Sequence, residues 1–399
     1  MKDSGVEWIG QIPLDWDVCK LKYLIGIKSG DAIRNEDISS DGLYQVFGGG
    51  EVIGYTNKQN ANEKNLLIGR VGARCGCVTK PLNKVYATDN ALVVFTKENR
   101  NYFYDVLVSA DLNKLNSSNA QPLLTATKIK NVFVPHPSLA EQQRIADFLD
   151  EKCGEIDSIR SDVQREIEIL NNYKKSVITE AVTKGLNTKA KLKDSGIEWI
   201  GKIPEEWNIH PLYYYFDERK HKNILGKERN LLSLSYGKII RKDIDCREGL
   251  LPENFNGYNI IEQNDIVLRL TDLQNDKRSL RTGLVKEHGI ITSAYVTLKA
   301  CCDLNQSYFH YLLHSYDAMK VLYNMGNGVR QGLNYSELAK MLLVEPPLSE
   351  QKAIADYLDE KCSAIDATIA DKQKQLETLD EYKKSLIFEY VTGKKEVLQ

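Results

Sequence analysis

The feature that most constrains this sequence is a phrase that it contains twice. Lys2–Pro13 reads KDSGVEWIGQIP and Lys193–Pro204 reads KDSGIEWIGKIP, so the two copies differ at two of twelve positions at an offset of 191 residues. A phrase repeated at the start and in the middle of a 399-residue chain indicates an internal duplication. At this length two or more domains are expected in any case.

The duplication continues further along each copy. EQQRIADFLDEKCGEID at Glu141–Asp157 returns as EQKAIADYLDEKCSAID at Glu350–Asp366, and YKKSVITEAVT returns as YKKSLIFEYVT, both at an offset of 209. The second copy is therefore 18 residues longer than the first. The extra length lies in the middle segments, 17–136 and 208–345, whose sequences look unlike each other. The chain is a tandem pair with a shared frame and different contents.

The second half of each frame has an apolar residue at every seventh position. This narrow stripe is typical of a coiled coil, and the two stripes most simply bury each other. Because the link 183–207 is short, the second helix can pack on the first only by running back, so the pair is predicted to be antiparallel. Ile145, Ile159 and Tyr173 occupy intervening positions, and Lys372 interrupts the second stripe. The predicted seam consists of Ile145, Leu149, Ile156, Val163, Leu170, Val177, Leu358, Ile365, Leu379 and Leu386.

Signals at the helix ends support these predicted helices. Ser138 and Glu141 fit a capping box, and Gly185 and Gly393 follow the two expected C-termini. All four tryptophans lie in the repeated EWIGxIPxxW, which we interpret as a structural strap that packs on the frame. They are Trp8, Trp16, Trp199 and Trp207.

The middle segments are predicted to be rich in β-strands. Tyr44–Thr56 and Asn65–Thr79 each indicate two short strands with glycines at the bends. Asn264–Asp272 and Gly289–Ala300 contain runs of β-branched residues, and Ser307–Asn324 is predicted to be helical.

We therefore predict an α+β fold with a pseudo-two-fold internal repeat, in which two β-rich domains are separated by two long helices that form an antiparallel coiled coil. The first β-rich domain covers 1–137 and the first helix 138–185. The second β-rich domain covers 186–348, including a linker at 186–192, and the second helix covers 349–393.

The charge distribution leaves a nucleic-acid partner open. The net charge of the chain is −2, but the segment 17–136 carries 15 Lys or Arg against 11 Asp or Glu, and 208–345 carries 18 against 16. The segments 141–171 and 350–382 each carry 4 against 9. A weak basic excess in the middle segments is compatible with DNA binding without showing it.

The sequence contains no recognisable catalytic engine. It has no GxxxxGK[ST] phosphate loop and no [ND]PP[YF] tetrapeptide, and the DEK triplets at 150–152 and 359–361 fit solvated helix faces better than a nuclease. The eight cysteines form no zinc-ligand spacing, and the six histidines are dispersed. We see neither an apolar run of membrane-spanning length nor a secretory signal, and so we predict a cytoplasmic protein.

Glycine-rich turns in the middle segments are the best candidates for contacts with DNA. GGGEVIG and GRVGARCG most simply supply positive φ at hairpin turns, but such turns would also let backbone N–H groups approach phosphates. Arginine and glutamine on glycine-flanked loops could read guanine and adenine, although an ordinary polar loop is an equal alternative for any one residue. The predicted DNA-binding residues are Arg70, Arg74, Gln121, Arg269, Thr271, Ser293, Tyr295, Arg330 and Gln331.

The order EWIGxIPxxW, variable segment, PxLxEQxxIADxLDEK and YKKSxIxExVT, given twice, resembles the specificity subunit of type I restriction–modification systems. The resemblance covers the whole chain. It implies two target-recognition domains that each read one half of a split double-stranded DNA sequence, and a subunit without catalytic activity. It also implies recruitment of two methyltransferase and two restriction subunits. The S-adenosylmethionine, ATP and Mg²⁺ would act in those partners, with no cofactor in this chain and no membrane partner.

Three alternatives stay open at this point. The subunit could belong to a methylation-only or orphan system that lacks a nuclease. The chain could be a coiled-coil scaffold without a DNA partner, although the divergence of the middle segments would then be unexplained. A stand-alone DNA enzyme would need motifs that we do not find in the sequence.

Overall fold

The chain contains two long helices together with many short strands and helices. The computed structural model describes residues 1–115, 123–245, 254–273, 280–325 and 332–397. Over these ranges, no helix combines the length and apolar character needed to cross a membrane. The α-helices are α1 (Arg100–Ser109), α2 (Ala126–Lys130), α3 (Leu139–Lys184), α4 (Gln306–Ala318), α5 (Tyr335–Leu338) and α6 (Leu348–Val391). Short 3-10 helices cover Leu21–Tyr23, Asn35–Asp37, Leu112–Leu115, Leu212–Tyr214 and Val321–Asn324.

The strands are short, and they fall into two series that flank α3. Before α3 they are β1 (Lys2–Asp3), β2 (Gln11–Ile12), β3 (Asp17–Lys20), β4 (Ile25–Ser29), β5 (Tyr44–Phe47), β6 (Val52–Thr56), β7 (Leu66–Gly69), β8 (Val78–Thr79), β9 (Val85–Ala87), β10 (Ala91–Thr96) and β11 (Phe133–His136). After α3 they are β12 (Leu192–Asp194), β13 (Lys202–Pro204), β14 (Asn208–Pro211), β15 (Phe216–Glu218), β16 (Leu232–Ser235), β17 (Lys238–Arg241), β18 (Asn259–Ile261), β19 (Ile266–Leu268), β20 (Thr282–Leu284), β21 (Gly289–Ile291), β22 (Val296–Ala300) and β23 (Leu342–Glu345).

The chain folds into two compact units. The first unit consists of Met1–Arg165 with Lys372–Gln399, and the second unit is Glu166–Asp371. Both boundaries fall inside the long helices, so each unit contains part of α3 and part of α6. These units are groups of residues that pack together, whereas the predicted domains are successive segments of the sequence repeat. The two sets of boundaries are therefore not expected to coincide.

Each unit contains its own four-stranded central sheet, and the two sheets have the same strand order although the middle segments differ in sequence. The strand order is β4-β10-β7-β8 in the first unit and β15-β22-β19-β20 in the second, and every pair is antiparallel. Both units also contain the same small strand pairs, which are β1 with β2 and β3 with β11 in the first and β12 with β13 and β14 with β23 in the second. The predicted α+β fold with an internal repeat is confirmed.

Beyond the central sheet the units differ. The first unit adds a three-stranded sheet, β6-β5-β9, in which β5 and β9 are parallel. The second unit adds the hairpin β16–β17 and the pair β18–β21. The predicted hairpin within Tyr44–Thr56 is present as β5 and β6, and the strands predicted within Asn65–Thr79 pair as β7 and β8.

The two long helices run antiparallel where they meet within each unit. In the first unit, rising residue numbers on α3 meet falling numbers on α6, as the predicted direction requires. Ion pairs between partly exposed side chains add little stability singly, but they fix the register of the helix pair. The paired residues are Phe148 with Tyr390, Asp157 with Lys383 and Arg160 with Asp380 in the first unit, and Lys174 with Asp366 in the second.

The predicted seam lies against the protein interior in both helices. Seven of its ten residues are buried, and the other three, Leu170, Val177 and Leu379, are half-buried. Burial of these side chains provides the main stabilisation of the helix pair, because apolar area is removed from water along the whole stripe.

The predicted intervening line of the seam holds only at its first position, Ile145, which is buried. Ile159 and Tyr173, which the heptad pattern put on intervening positions, are 49% and 55% exposed. The inward line lies four residues after each seam position, where Ile167 is buried and Arg160 and Lys174 make the ion pairs between the helices. A search for apolar spacing missed this line because charged residues occupy two of its positions.

Both long helices end at glycines, as predicted. Gly185 has φ +74° and Gly393 has φ +69°, which is the left-handed region that glycine adopts without strain. A Cβ on Gly393 would also lie 2.4 Å from Pro13 Cδ, so this position requires glycine for space as well. The strap prediction holds best for Trp16 and Trp207, which are buried against these helix ends.

A buried tyrosine attaches the sheet-bearing part of each unit to a long-helix end. The Tyr102 hydroxyl lies 3.4 Å and 3.2 Å from the carbonyl oxygens of Pro135 and Val391. In the second unit, the Tyr308 hydroxyl lies 3.1 Å from the carbonyl oxygen of Val182. Both tyrosine side chains are fully buried, so these carbonyl groups have little access to water as alternative partners.

We expect Tyr308→Phe to lower the free energy of unfolding by about 1–3 kcal/mol, because it removes the donor and leaves buried carbonyl groups unsatisfied. Urea unfolding followed by tryptophan fluorescence measures the change. Tyr213→Phe is the matched control, since Tyr213 is 59% exposed, and it should change stability by less than about 0.5 kcal/mol. Equal effects of the two variants would contradict an anchoring role for Tyr308.

Candidate nucleic-acid interface

In the first unit, Arg70 lies at the edge of the central sheet where β7 ends. Its N–H donates to the carbonyl oxygen of Asn90, which precedes β10, at 3.0 Å. Its guanidinium Nη1 lies 3.4 Å from Ser29 Oγ, at the end of β4, and 3.5 Å from the Asp89 carbonyl oxygen. One arginine therefore reaches the ends of three neighbouring strands.

Arg74 lies on the glycine-rich turn that follows. Its Nε is 3.4 Å from Glu51 Oε2, and both side chains are more than half exposed, so the ion pair holds the guanidinium only weakly. Gly50 has φ +119°, and a Cβ there would lie 2.9 Å from Arg74 Cβ. The glycine therefore lets the β5–β6 turn approach Arg74, and the interpretation of these glycines as turn residues holds here.

The second unit presents the same edge with different side chains. β19 ends and β22 begins at paired residues, so the segments beyond these ends leave the sheet together. Arg269 and Thr271 follow β19, and Ser293 and Tyr295 precede β22. Thr271 and Ser293 are exposed, whereas Tyr295 packs partly on the apolar cluster below. The structure thus brings these four predicted residues to one edge.

Three predicted residues lie outside the described ranges: Gln121, Arg330 and Gln331. The described residues that follow them contact the strand ends. The Leu124 N–H donates to the Arg70 carbonyl oxygen, and the Leu333 N–H donates to the Leu270 carbonyl oxygen, both at 2.9 Å. The chain therefore returns to an equivalent place in both units, beside the segment that carries Arg70 or Arg269.

Arg281, which the sequence analysis did not single out, supports the edge of the second unit. Its side chain is fully buried. Nη1 donates to the carbonyl oxygen of Thr271 at 2.7 Å, and Nη2 donates to that of Asp272 at 3.0 Å. Its backbone N–H donates to Asp317 Oδ2 at 2.8 Å. The guanidinium therefore fixes the turn that follows β19, and no sequence pattern distinguished it from the exposed basic residues nearby.

A histidine links three segments on the outer part of the second unit. His288 Nε2 lies 2.9 Å from Glu228 Oε2, and His288 Nδ1 lies 2.9 Å from Glu262 Oε2. The hydrogen bond with Glu262 is the main cause that raises the pKa of His288 above its usual value. The pKa of Glu228 is lowered, first by the Asn230 backbone N–H and also by His288. The protonated imidazole therefore fastens the β15–β16 connection to β18.

The DEK triplets have a structural role. Asp150 accepts hydrogen bonds from Lys80 Nζ at 2.8 Å and from Asn101 Nδ2 at 2.6 Å, and Asp359 accepts one from the Tyr311 hydroxyl at 2.6 Å. Each triplet thus connects its long helix to the short helix, α1 or α4, of the same unit. Across the described ranges, no group of three or more His, Cys, Asp and Glu side chains is placed to hold a metal ion.

Two units with the same central sheet order, each containing part of both long helices and each with an arginine directly after a central strand, define a duplicated α+β fold. The chain belongs to the family described as type I restriction modification DNA specificity domain, whose model matches residues 13–169 and 253–378. It is accordingly a specificity subunit, which recognises DNA within a type I restriction–modification assembly, and the catalytic activities lie in other subunits.

Individual relatives agree with this assignment. The chain is 25% identical over 387 residues to the putative type I restriction enzyme MjaX specificity subunit of Methanocaldococcus jannaschii, covering 95% of this chain and 84% of the relative. It is also 25% identical over 422 residues to the MjaVIII specificity subunit of the same organism, covering 96% and 94%.

A solved structure shows the same fold. The solved chain belongs to a structure described as the structural basis of complex assembly and conformational transition of the type I restriction–modification system. It aligns over 96% of our chain and 100% of its own length, with a TM-score of 0.68 at 12% identity.

We expect the stability of the second unit to fall as the pH rises past the folded-state pKa of His288. A raised histidine pKa stabilises the fold fully below the unfolded value of about 6.5 and loses that contribution above the folded value. The lowered pKa of Glu228 stabilises the fold fully above the unfolded value of about 4.3, and this contribution to stability is lost as the pH falls through the folded value. Because His288 is about half exposed, the change should stay below about 1 kcal/mol.

Urea midpoints measured from pH 5 to pH 8 test this expectation. His288→Gln should flatten this decline, whereas His221→Gln, at another exposed histidine of the same unit, should leave it unchanged. A decline that persists in His288→Gln would assign the pH dependence to other groups.

Proposed function

We propose that each unit reads one half of a bipartite, asymmetric DNA sequence. The observation that carries this proposal is the shared sheet order with different edge residues. The first unit presents Arg70 and Arg74, and the second presents Arg269, Thr271 and Ser293 at the matching strand ends. A common scaffold with different polar side chains at one edge is suited to two different base sequences.

The chemistry of these edges suits contact with duplex DNA. A guanidinium can donate two hydrogen bonds to the O6 and N7 atoms of guanine, and hydroxyl groups such as Thr271 and Ser293 can contact bases or phosphates. Arg70 is held by weak contacts to Ser29 and Asp89, which DNA acceptors could replace. The glycine turn beside Arg74 allows close approach of the backbone.

The paired strands at the base of each middle segment support independent half-sites. Asp17 pairs with His136 in β3 and β11, and Asn208 pairs with Glu345 in β14 and β23. The first and last residues of each middle segment are therefore paired with each other. Such a junction permits one segment to be exchanged without disturbing the other.

We further propose that equivalent surfaces of the two units recruit two methyltransferase and two restriction subunits. Matching exposed side chains in the two units support this stoichiometry. Tyr23 is 73% exposed and its repeat counterpart Tyr214 is 53% exposed, while Phe133 and Leu342 are 41% and 39% exposed at equivalent positions of β11 and β23. Two similar apolar surfaces suit two copies of one partner.

The cofactors and the compartment follow from the same proposal. S-adenosylmethionine, ATP and Mg²⁺ would act in the partner subunits, and the assembly would work on DNA in the cytoplasm. Sequencing of the methylated adenines in cells that express the complex identifies the target.

We expect replacement of residues 17–136 by the equivalent segment of a related specificity subunit to change one half-site only. The Asp17–His136 junction keeps the frame intact, so the second half-site should be retained. The methylated sequences report both half-sites in one experiment. The reciprocal replacement of residues 208–345 is the control, and a change in both half-sites from either exchange would contradict independent reading.

We expect one copy of this chain to bind two methyltransferase subunits. Light scattering of the co-expressed complex measures the mass. Tyr214→Ser should weaken the second binding step, because it removes exposed aromatic area from only one of the two matching surfaces. A stable 1:1 mass for the wild-type chain would contradict the proposed stoichiometry.

A further inference from the structure

The connection between β15 and β16 combines cationic and apolar side chains. Residues 218–229 contain five Lys or Arg and two Glu. At the centre of this segment Ile224 and Leu225 are 73% and 75% exposed. A single exposed aliphatic residue is ordinary, but two adjacent ones at the tip of a basic loop indicate a surface that another molecule covers.

The tip is held rigidly. Ile224 and Leu225 are the central residues of a turn closed by the Gly226 N–H, which donates to the Asn223 carbonyl oxygen at 2.8 Å. The Asn223 side chain, buried at 3% exposure, donates to the Glu228 carbonyl oxygen at 2.9 Å and accepts from the Glu228 N–H at 3.2 Å. The two aliphatic side chains are thus presented on an ordered turn, which lowers the entropy lost on binding.

The loop lies beside β18 along its first half. The Ile260 N–H donates to the His221 carbonyl oxygen at 2.6 Å, and the Asn223 N–H donates to the Tyr258 carbonyl oxygen at 3.0 Å. These bonds hold the base of the turn on a strand of the same unit.

The loop starts at the predicted DNA-binding edge. β15 is antiparallel to β22, and β22 is antiparallel to β19, so β15 and β19 end at the edge where β22 begins. The Arg219 N–H donates to the Thr297 carbonyl oxygen at 2.8 Å, next to the start of β22. The connection therefore leaves the sheet together with the segments that carry Arg269 and Ser293.

The charges of the loop favour a polyanion as the partner. Three of the five cations, Arg219, Lys220 and Arg229, form ion pairs with acidic residues of the same unit. The Lys222 ammonium donates to the carbonyl oxygen of Gly257, and this bond to a neutral group does not neutralise its charge. Lys227, next to the apolar tip, is exposed. Positive charge around an apolar point is the pattern of side chains that contact phosphates while an aliphatic residue enters a groove.

We propose that Ile224 and Leu225 form a wedge that enters the minor groove and separates one base step in the half-site read by the second unit. This inference rests on the proposed function, since it requires the sheet edge to face DNA. Aliphatic side chains inserted between base pairs unstack them and kink the duplex, while nearby cations hold the backbone.

The first unit has a different connection at the matching edge. There the chain leaves β4 through Ala32 and Ile33, of which Ile33 is half-buried, and Arg34 pairs with Glu36 and Asp37. The wedge therefore belongs to the second unit, and the distortion should occur in one half-site only.

Base-stacking fluorescence tests the wedge. The probe is the complex with its methyltransferase, bound to a duplex of the sequenced target in which 2-aminopurine replaces one base at a time. The wild-type complex should raise fluorescence at one step of the second half-site and at the methylated adenines, which a methyltransferase takes out of the stack. In the double variant Ile224→Ser, Leu225→Ser the signal at the step should disappear while the signal at the adenines remains. The affinity should change by less than about tenfold, because the lost apolar contact and the avoided unstacking offset each other.

Leu82→Ser, at a residue that is 87% exposed in the first unit, is the matched control and should leave every signal unchanged. The wedge is overturned if the wild-type complex binds the target with fluorescence only at the adenines, or if the double variant keeps the signal at the step. Loss of methyltransferase binding in the double variant, measured by light scattering, would assign the turn to a protein partner and overturn it as well. A wild-type complex that binds no DNA would overturn the proposed function, which the other outcomes leave standing.

Discussion

The pairing of α3 with α6 is the interaction on which the rest of the structure depends. In the first unit the core contains Leu149 from the start of α3 together with Ile387 and Val391 from the end of α6. In the second unit the roles are exchanged, and Leu358 of α6 packs in the core with Val182 of α3. The core of each unit therefore contains side chains from both long helices. The hydrogen bonds of the buried tyrosines follow the same pattern, since Tyr102 donates to Val391 near the end of α6 and Tyr308 donates to Val182 near the end of α3. Each long helix therefore stabilises one unit at its start and the other unit at its end.

The frame could be read from the sequence because it is repeated and because its periodicity is local. The predicted helices, 138–185 and 349–393, lie within two residues of the observed Leu139–Lys184 and Leu348–Val391. The inward line with Arg160 and Lys174 could not be read in this way. Those residues lie in the helix pair because acidic partners on the other helix meet them, and such partnership depends on register, which a hydrophobic pattern does not contain.

The sheet edges were predictable only in part. Arg70 and Arg269 were chosen as basic residues beside strands, yet their equivalence follows from strand order, which is set by pairing between distant segments. The supporting role of Arg281 could not be predicted from the sequence either. Its burial depends on the turn that it supports, and its sequence neighbours resemble those of any exposed arginine. The sheet edges proposed to read DNA are therefore the least predictable from the sequence, because they differ between the two units whereas the frame is repeated.

The division of the chain has a consequence for its synthesis. The second unit is one continuous stretch, Glu166–Asp371, whereas the first is completed only by Lys372–Gln399. The ribosome therefore makes the larger part of the first unit, then the whole second unit, and only then the helix end that carries Ile387 and Val391. At 5–20 residues per second the interval is on the order of ten to forty seconds. During that time the apolar side chains that Ile387 and Val391 will cover are exposed to solvent. The nascent chain must therefore be kept from aggregating until the end of α6 has been synthesised.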